Sequence, residues 1–63
     1  MTKLEVITKI KYARHLHVIW ANKQAKRIDK GLKILPNAGG ENWHNEWVEI
    51  YDETLKYLNG KAN

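Results

Sequence analysis

The first thirty residues combine an uninterrupted helical pattern with a capping motif at their start. There is neither proline nor glycine between Lys3 and Lys30. Thr2 and Glu5 have the spacing of a capping box, in which the Thr2 side chain accepts from the Glu5 amide and the Glu5 side chain reaches back. These features predict a first helix over about residues 3–31, with Gly31 as its left-handed C-terminal cap.

A strand is the alternative interpretation of the opening segment. The even-numbered positions from 4 to 12 hold Leu, Val, Thr, Ile and Tyr, and charged residues stand between several of them. Such alternation is the period of a half-buried strand. Ile7 interrupts the alternation, and no turn signal follows that would pair this strand with another. Helix is therefore the favoured prediction.

The segment LPNAGG, residues 35–40, is the clear break in the pattern. Pro36 restrains Leu35 from helical geometry, and the glycine pair suits a turn. We expect a loop over about residues 32–41 and a second helix over about residues 42–59. Asn42 would be its N-cap and Gly60 its C-terminal cap. The positions at helical spacing that would point inward are His44, Trp47, Val48, Tyr51, Leu55 and Leu58.

Together these elements predict an all-α fold, an antiparallel helical hairpin, within a single domain over residues 1–63. At 1.5 Å per residue, a helix over residues 3–30 is about 42 Å long and one over residues 43–58 is about 24 Å long. Folded back from the loop, the shorter helix would cover the longer one only from about residue 15 onward.

The uncovered part of the first helix indicates a homodimeric bundle. Within residues 12–21, apolar residues lie on two nearly opposite sides of the helix, and a helix that is apolar on two sides needs two neighbours. A second copy is the most economical second neighbour, since two-fold dimers are the commonest oligomers. A kink near residues 21–23 that folds the helix back on itself is the monomeric alternative. The residues predicted for the dimer interface are Leu4, Ile7, Ile10, Tyr12, Leu16, Ile19 and Trp20.

Composition adds two constraints. A chain of 63 residues without Cys builds only a thin core and has no disulfide to support it, so oligomerisation or good packing must compensate. The charge is divided unevenly. Residues 1–40 hold nine Lys or Arg against Glu5 and Asp29, whereas residues 41–63 hold five acidic residues against Lys56 and Lys61. A basic half of this kind either attracts the acidic helix or meets an anionic partner.

The basic residues near the end of the first helix share one side of it. In a helix through Lys30, four of them fall within an arc of roughly 100°, and a fifth extends it if the helix continues. The opposite side, with Ala21, Ala25, Ile28 and Leu32, would turn inward. A one-sided run of cations is what contact with a phosphate backbone requires. The predicted nucleic-acid-binding residues are Lys23, Lys26, Arg27, Lys30 and Lys33.

Aromatic residues of the second helix supply an alternative binding surface. Trp43, Trp47 and Tyr51 follow one another at one-turn intervals, and such a row suits a partner protein or unpaired bases. The same spacing also fits residues that simply fill a thin core. A protein partner is therefore an alternative to nucleic acid. A membrane surface is disfavoured because the residues beside the cations are small Ala residues and not bulky anchors.

Catalysis and metal binding find no support in the sequence. There is no Ser and no Cys, and the threonines have no evident base beside them. His15 and His17 point about 160° apart on a helix, so they do not share a metal ion within one chain. His44 could join one of them across the hairpin, but the sequence has no HExxH motif. We expect His17 to be a satisfied interface histidine and His15 a surface one, with no catalytic residues, metal or cofactor.

The length, the opening residues Met1-Thr2-Lys3-Leu4-Glu5 and the predicted hairpin resemble the Rop family of small plasmid copy-number proteins. Members of that family are dimeric four-helix bundles that bind paired RNA loops. The matching residues are confined to the first five positions. The family's regular heptad core is not evident here, and the loop is longer and rich in glycine, so the resemblance assigns no RNA-binding residues and no family membership.

The functional hypothesis is a small accessory or regulatory protein, not an enzyme, that binds nucleic acid through the basic helix face. The alternative is a protein-interaction module or inhibitor that uses the aromatic and acidic second helix. We expect a cytoplasmic protein because no signal peptide or membrane span is evident. Very small, basic chains without Ser and Cys are often encoded by phages or plasmids.

Overall fold

A computed structural model describes residues 1–60, and these residues form two antiparallel α-helices packed against each other. Helix α1 spans Lys3–Asp29 and helix α2 spans Glu41–Leu58. No residue of this range is in a strand. The predicted helical hairpin is confirmed, and the strand interpretation of the opening segment is wrong. Neither helix has an apolar stretch that would let it cross a membrane within the described part of the chain.

The capping box at the start of α1 is confirmed. The Glu5 amide donates to Thr2 Oγ1 at 3.1 Å, and the Thr2 amide donates to Glu5 Oε1 at 3.1 Å. Together they satisfy two backbone N–H groups that a helix start leaves without partners. The helix then continues without interruption through residues 21–23. The fold-back at a kink, which was the monomeric alternative, is therefore wrong.

Helix α1 ends in a Schellman motif centred on Gly31. The Gly31 amide donates to the Ile28 carbonyl at 2.9 Å, and the Leu32 amide donates to the Arg27 carbonyl at 2.8 Å. Gly31 has a φ of 74°, a left-handed conformation that glycine adopts without steric cost. The predicted role of Gly31 is confirmed, with the last helical residue two positions before it.

Helix α2 begins one residue earlier than expected, and its N-cap is Gly40 instead of Asn42. Gly40 has extended geometry, and its carbonyl accepts the His44 amide at 3.1 Å. Asn42 therefore already lies within the first turn and cannot take the capping position. At the other end, the Gly60 amide donates to the Tyr57 carbonyl at 3.1 Å, and Gly60 has a φ of 71°, as expected for a C-terminal cap.

The connecting loop is bonded to the buried side chain of Gln24. The Gln24 amide nitrogen donates to the Leu35 carbonyl at 3.2 Å and to the Gly39 carbonyl at 2.8 Å. Its oxygen accepts the Leu35 amide at 3.0 Å. Gln24 lies five residues before the end of α1, so the loop runs back alongside the last turns of that helix before α2 begins.

This return of the loop lets α2 extend farther along α1 than helix length alone predicted. Arg14 Nε donates to an oxygen of Asp52 at 2.6 Å, and six more residues of α2 follow Asp52. The second helix thus passes residue 15 of α1, and the prediction that its cover stops there is wrong. A start of α2 beside the last residue of α1 would give that limit, but α2 starts beside Gln24.

The hydrophobic core is small. Among the described residues, the only buried hydrophobic side chain is that of Ala21, and the other buried residues are Gln24 and His44. Ile28 and Leu32, which were expected to turn inward, are each about half exposed. Helix α2 starts beside Gln24, about one turn before Ile28, so it does not cover the end of α1.

Replacing Gln24 by Ala should destabilise the hairpin by about 3 kcal/mol, because the loop groups that Gln24 now satisfies lose their partners. Asn22→Ala is the matched control, since Asn22 is an exposed amide side chain on the same helix. Urea unfolding followed by circular dichroism measures both free energies. Equal unfolding free energies for the two variants would show that Gln24 does not hold the loop.

Candidate nucleic-acid interface

Four cationic residues meet in one open groove at the C-terminal end of α1. They follow one another at intervals of three, one and three residues, so the last two turns of the helix turn them to the same side. Apolar side chains of the connecting loop complete the groove, which has a volume of about 310 Å³. Its lining residues are Lys23, Lys26, Arg27, Lys30, Leu32 and Leu35.

Two of these cations are held in place by contacts within the chain. Lys23 Nζ lies 4.8 Å from the centre of the Trp20 ring, a cation–π contact. Arg27 Nε donates to the Lys33 carbonyl at 2.8 Å. Neither Lys26 nor Lys30 forms an ion pair with any residue of the range 1–60. The groove thus combines two cations that are held by contacts within the chain with two that form no ion pair in residues 1–60.

The fifth predicted residue, Lys33, does not line the groove. It follows the Schellman turn, and its carbonyl accepts a hydrogen bond from Arg27. Its ammonium group is not part of the groove lining. Lys33 is exposed on the connecting loop. The structure therefore brings together four of the five residues predicted to bind nucleic acid, and their binding role stays a prediction.

The aromatic set predicted for a partner surface is gathered around His17. The His17 ring centre lies 5.6 Å from that of Trp43, 6.0 Å from that of Trp47 and 5.8 Å from that of Tyr51. Trp47 and Tyr51 are partly buried, whereas Trp43 is exposed over half its surface. The three rings do not form one exposed row, and Trp43 alone presents a large exposed area.

His17 and His44 form a hydrogen-bonded pair between the helices. His44 Nε2 donates to the Ala38 carbonyl at 2.6 Å. In a neutral His44 the other ring nitrogen is then an acceptor, and it lies 2.7 Å from Nδ1 of His17. His17 therefore donates its Nδ1 proton to His44. His15, as expected, is exposed.

Sequence reasoning missed the role of Gln24 and the pairing of the histidines. Gln24 follows His17 by seven residues, so both lie on the side of α1 that meets α2. That spacing was a signal that could have marked Gln24 as buried. Within residues 1–60, no group of three or more His, Cys, Asp or Glu is placed to hold a metal ion.

The environment of His17 lowers its pKa below the ordinary value of 6.5. Burial is the larger cause because it disfavours the charged form, and the neighbouring His44 adds electrostatic repulsion. A doubly protonated pair would also lose the hydrogen bond between the two Nδ1 atoms. The hydrogen bond therefore requires one of the two Nδ1 atoms to be free of a proton.

Acidification should destabilise the hairpin through His17. The pKa of His17 is lower in the folded chain, so below pH 6.5 the unfolded chain binds more protons and stability falls as the pH falls. We expect the Tm to be constant above about pH 7 and to decrease between about pH 6.5 and pH 5. Thermal unfolding followed by circular dichroism across this range measures the effect.

His15→Gln is the matched control for this measurement, because His15 is exposed and two residues from His17. It should keep the decrease in Tm, whereas His17→Gln should lose much of it. A decrease that is equally steep in both variants would show that another group causes it.

The residues predicted for a dimer interface fall into two groups. Leu4, Tyr12 and Leu16 are exposed, with Leu4 at 72% and Tyr12 at 65%. The remaining residues are partly buried: Ile7, Ile10, Ile19 and Trp20. The structure thus leaves large apolar side chains of α1 in contact with solvent.

No known protein family, curated protein or solved structure matches this chain.

Proposed function

We propose that this chain is a small, non-enzymatic accessory protein that binds nucleic acid through the groove at the end of α1. The observation that carries the proposal is the set of four cations lining one groove, with no acidic residue among the lining residues. Cations that meet on one side can neutralise successive phosphates and release their counterions. Such binding is strong at low salt and weak at high salt.

The chemistry of the groove side chains supports binding to the backbone over binding to base edges. The Lys33 carbonyl orients the Arg27 guanidinium, while Lys26 and Lys30 are exposed point charges without ion pairs in residues 1–60. Phosphate contacts of this kind position a protein on nucleic acid and carry little sequence information. The proposed activity is therefore binding with weak sequence preference.

The proposal includes a homodimer. Ala21 is the only buried hydrophobic side chain in the described part of the chain, and ten large hydrophobic side chains are exposed. Small domains commonly offset such a thin core by oligomerisation. A two-fold dimer would also carry two basic grooves, which doubles the number of phosphates within reach.

A protein partner remains the second candidate function. Helix α2 has a groove of about 500 Å³ on its outer surface. Its floor contains Ile50 and Tyr57, and acidic side chains surround them. This groove supports protein contact, although Trp47 and Tyr51 of the original aromatic set are directed toward His17.

Reversing charge inside the groove should weaken binding to nucleic acid. Lys26→Glu with Lys30→Glu removes two phosphate contacts and adds two repulsive charges, so we expect affinity to fall at least tenfold. The dependence of log K on log salt concentration should become shallower by about 2. Fluorescence anisotropy with labelled random-sequence duplex and single-stranded oligonucleotides, each at several salt concentrations, measures both quantities.

Lys3→Glu with Lys11→Glu is the matched control for that experiment. It makes the same change in net charge at exposed positions of the same helix. If both double variants lose affinity equally, net charge and not the groove is responsible. Full affinity in the groove variant would contradict the proposed function.

The purified chain should have about twice the monomer mass of 7.4 kDa in solution. Size-exclusion chromatography with light scattering, after a high-salt wash that removes nucleic acid, measures this mass. A monomer at all accessible concentrations would overturn the dimer part of the proposal and would leave the groove experiment unaffected.

A further inference from the structure

Helix α2 exposes an apolar stripe along its length. Trp43, Ile50 and Tyr57 recur at intervals of seven residues, which brings them to the same side of the helix every two turns. Their exposed fractions are 50%, 50% and 71%. We call these three residues the α2 stripe. A row of large exposed side chains at this spacing is the pattern of a helix that packs against another helix.

The groove beside the α2 stripe has an acidic rim. Ile50, Thr54 and Tyr57 contribute its less polar part, and three carboxylates line the rest: Glu46, Glu49 and Glu53. All three glutamates are exposed. An occupant that suits this surface has apolar side chains at helical spacing with cations at their flanks.

Helix α1 of the same sequence has those properties on the side that carries the exposed Tyr12 and Leu16 and the partly buried Ile19. Tyr12, Leu16 and Ile19 follow one another at intervals of four and three residues, and we call them the α1 stripe. Lys9 precedes it by three residues and Lys23 follows it by four, so cations lie one turn beyond each end. Both lysines are exposed.

The net charges of the two helices are opposite. Helix α1 contains seven basic and two acidic residues, and α2 contains one basic and five acidic residues. Pairing α1 with α2 is therefore electrostatically favoured, whereas pairing two copies of α1 brings like charges together. An α1–α1 contact would also leave the acidic groove of α2 without an occupant.

Both stripes reach the same surface of the hairpin. Leu16 immediately precedes His17, and Trp43 immediately precedes His44, where His17 and His44 are the contact residues. In two antiparallel right-handed helices, the residues that immediately precede the contact residues lie on one side of the pair.

The ion pair between Arg14 and Asp52 agrees with this geometry. By the same helical rotation, both residues lie on the opposite side of the hairpin, and their side chains meet there at 2.6 Å. One surface therefore carries the α1 stripe and the α2 stripe side by side.

We infer that a second copy of this chain docks on that surface, with the α1 stripe of each copy packed into the acidic groove of the other copy's α2. The inference rests on the homodimer part of the proposed function and specifies which helices meet. A two-fold axis makes the two contacts equivalent, so the assembly closes as a dimer with four helices. The contact would cover five of the ten large apolar side chains that the hairpin leaves exposed: Tyr12, Leu16, Trp43, Ile50 and Tyr57.

A charge-reversal exchange tests the pairing. One variant carries Lys9→Glu and Lys23→Glu, which makes the flanks of the α1 stripe acidic. The other carries Glu46→Lys and Glu49→Lys, which makes the rim of the α2 groove basic and leaves the Glu53–Lys56 ion pair intact. Each variant alone should dimerise at least tenfold more weakly than the wild-type chain, because like charges then meet at both contacts.

Mixing the two variants should restore dimerisation, since both contacts of the mixed dimer again join opposite charges. Light scattering and native mass spectrometry of the nucleic-acid-free proteins measure homodimers and mixed dimers separately. An α1–α1 interface predicts a different result for the α2 variant: reversal of Glu46 and Glu49 would leave dimerisation at the wild-type level. That outcome, or a monomeric wild-type chain, would overturn the inference.

An apolar variant tests the same surface independently. Ile50→Asp should dissociate the dimer, whereas Asn45→Asp, at an exposed position elsewhere on α2, should not. Far-ultraviolet circular dichroism verifies that both variants are helical. The variant of the basic α1 groove, with Lys26→Glu and Lys30→Glu, should remain dimeric. A loss of nucleic-acid binding can therefore be distinguished from a loss of dimerisation.

Discussion

The fold depends on the hydrogen bonds between the buried Gln24 amide and the connecting loop. One side chain satisfies the amide and carbonyl of Leu35 and the carbonyl of Gly39, which are partly buried groups of the loop. These bonds bring the loop back along α1 and set the point from which α2 starts. The register of the whole hairpin follows, including the contact between Arg14 and Asp52.

Polar and aromatic contacts replace most of the apolar core in this hairpin. His44 is almost fully buried because the Ala38 carbonyl and the His17 ring satisfy both of its ring nitrogens. Trp47 stacks on His17 with an angle of 14° between the rings. Such interactions are directional, so they define one arrangement of the two helices even though little apolar area is buried.

The uneven charge of the chain has two separate consequences in three dimensions. Toward the end of α1, cations meet on one side of the helix, and they form a groove without acidic residues in its lining. On the outer side of α2, carboxylates surround exposed Ile50 and Tyr57. The two surfaces suit partners of different chemistry. This difference supports the proposal that the basic groove on α1 meets nucleic acid and that the acidic groove on α2 meets another copy of the chain.

The two helices, their caps at Thr2 and Gly31, and the common side of the groove cations could be predicted from the sequence, because these features depend on local spacing and backbone preference. Three other features became visible only in the packed hairpin: the register of α2, the burial of Gln24 and the pairing of His17 with His44. Each of these depends on atoms far apart in the chain. The exposure of Ile28 has the same origin, since it follows from where α2 starts and not from the helical period of α1.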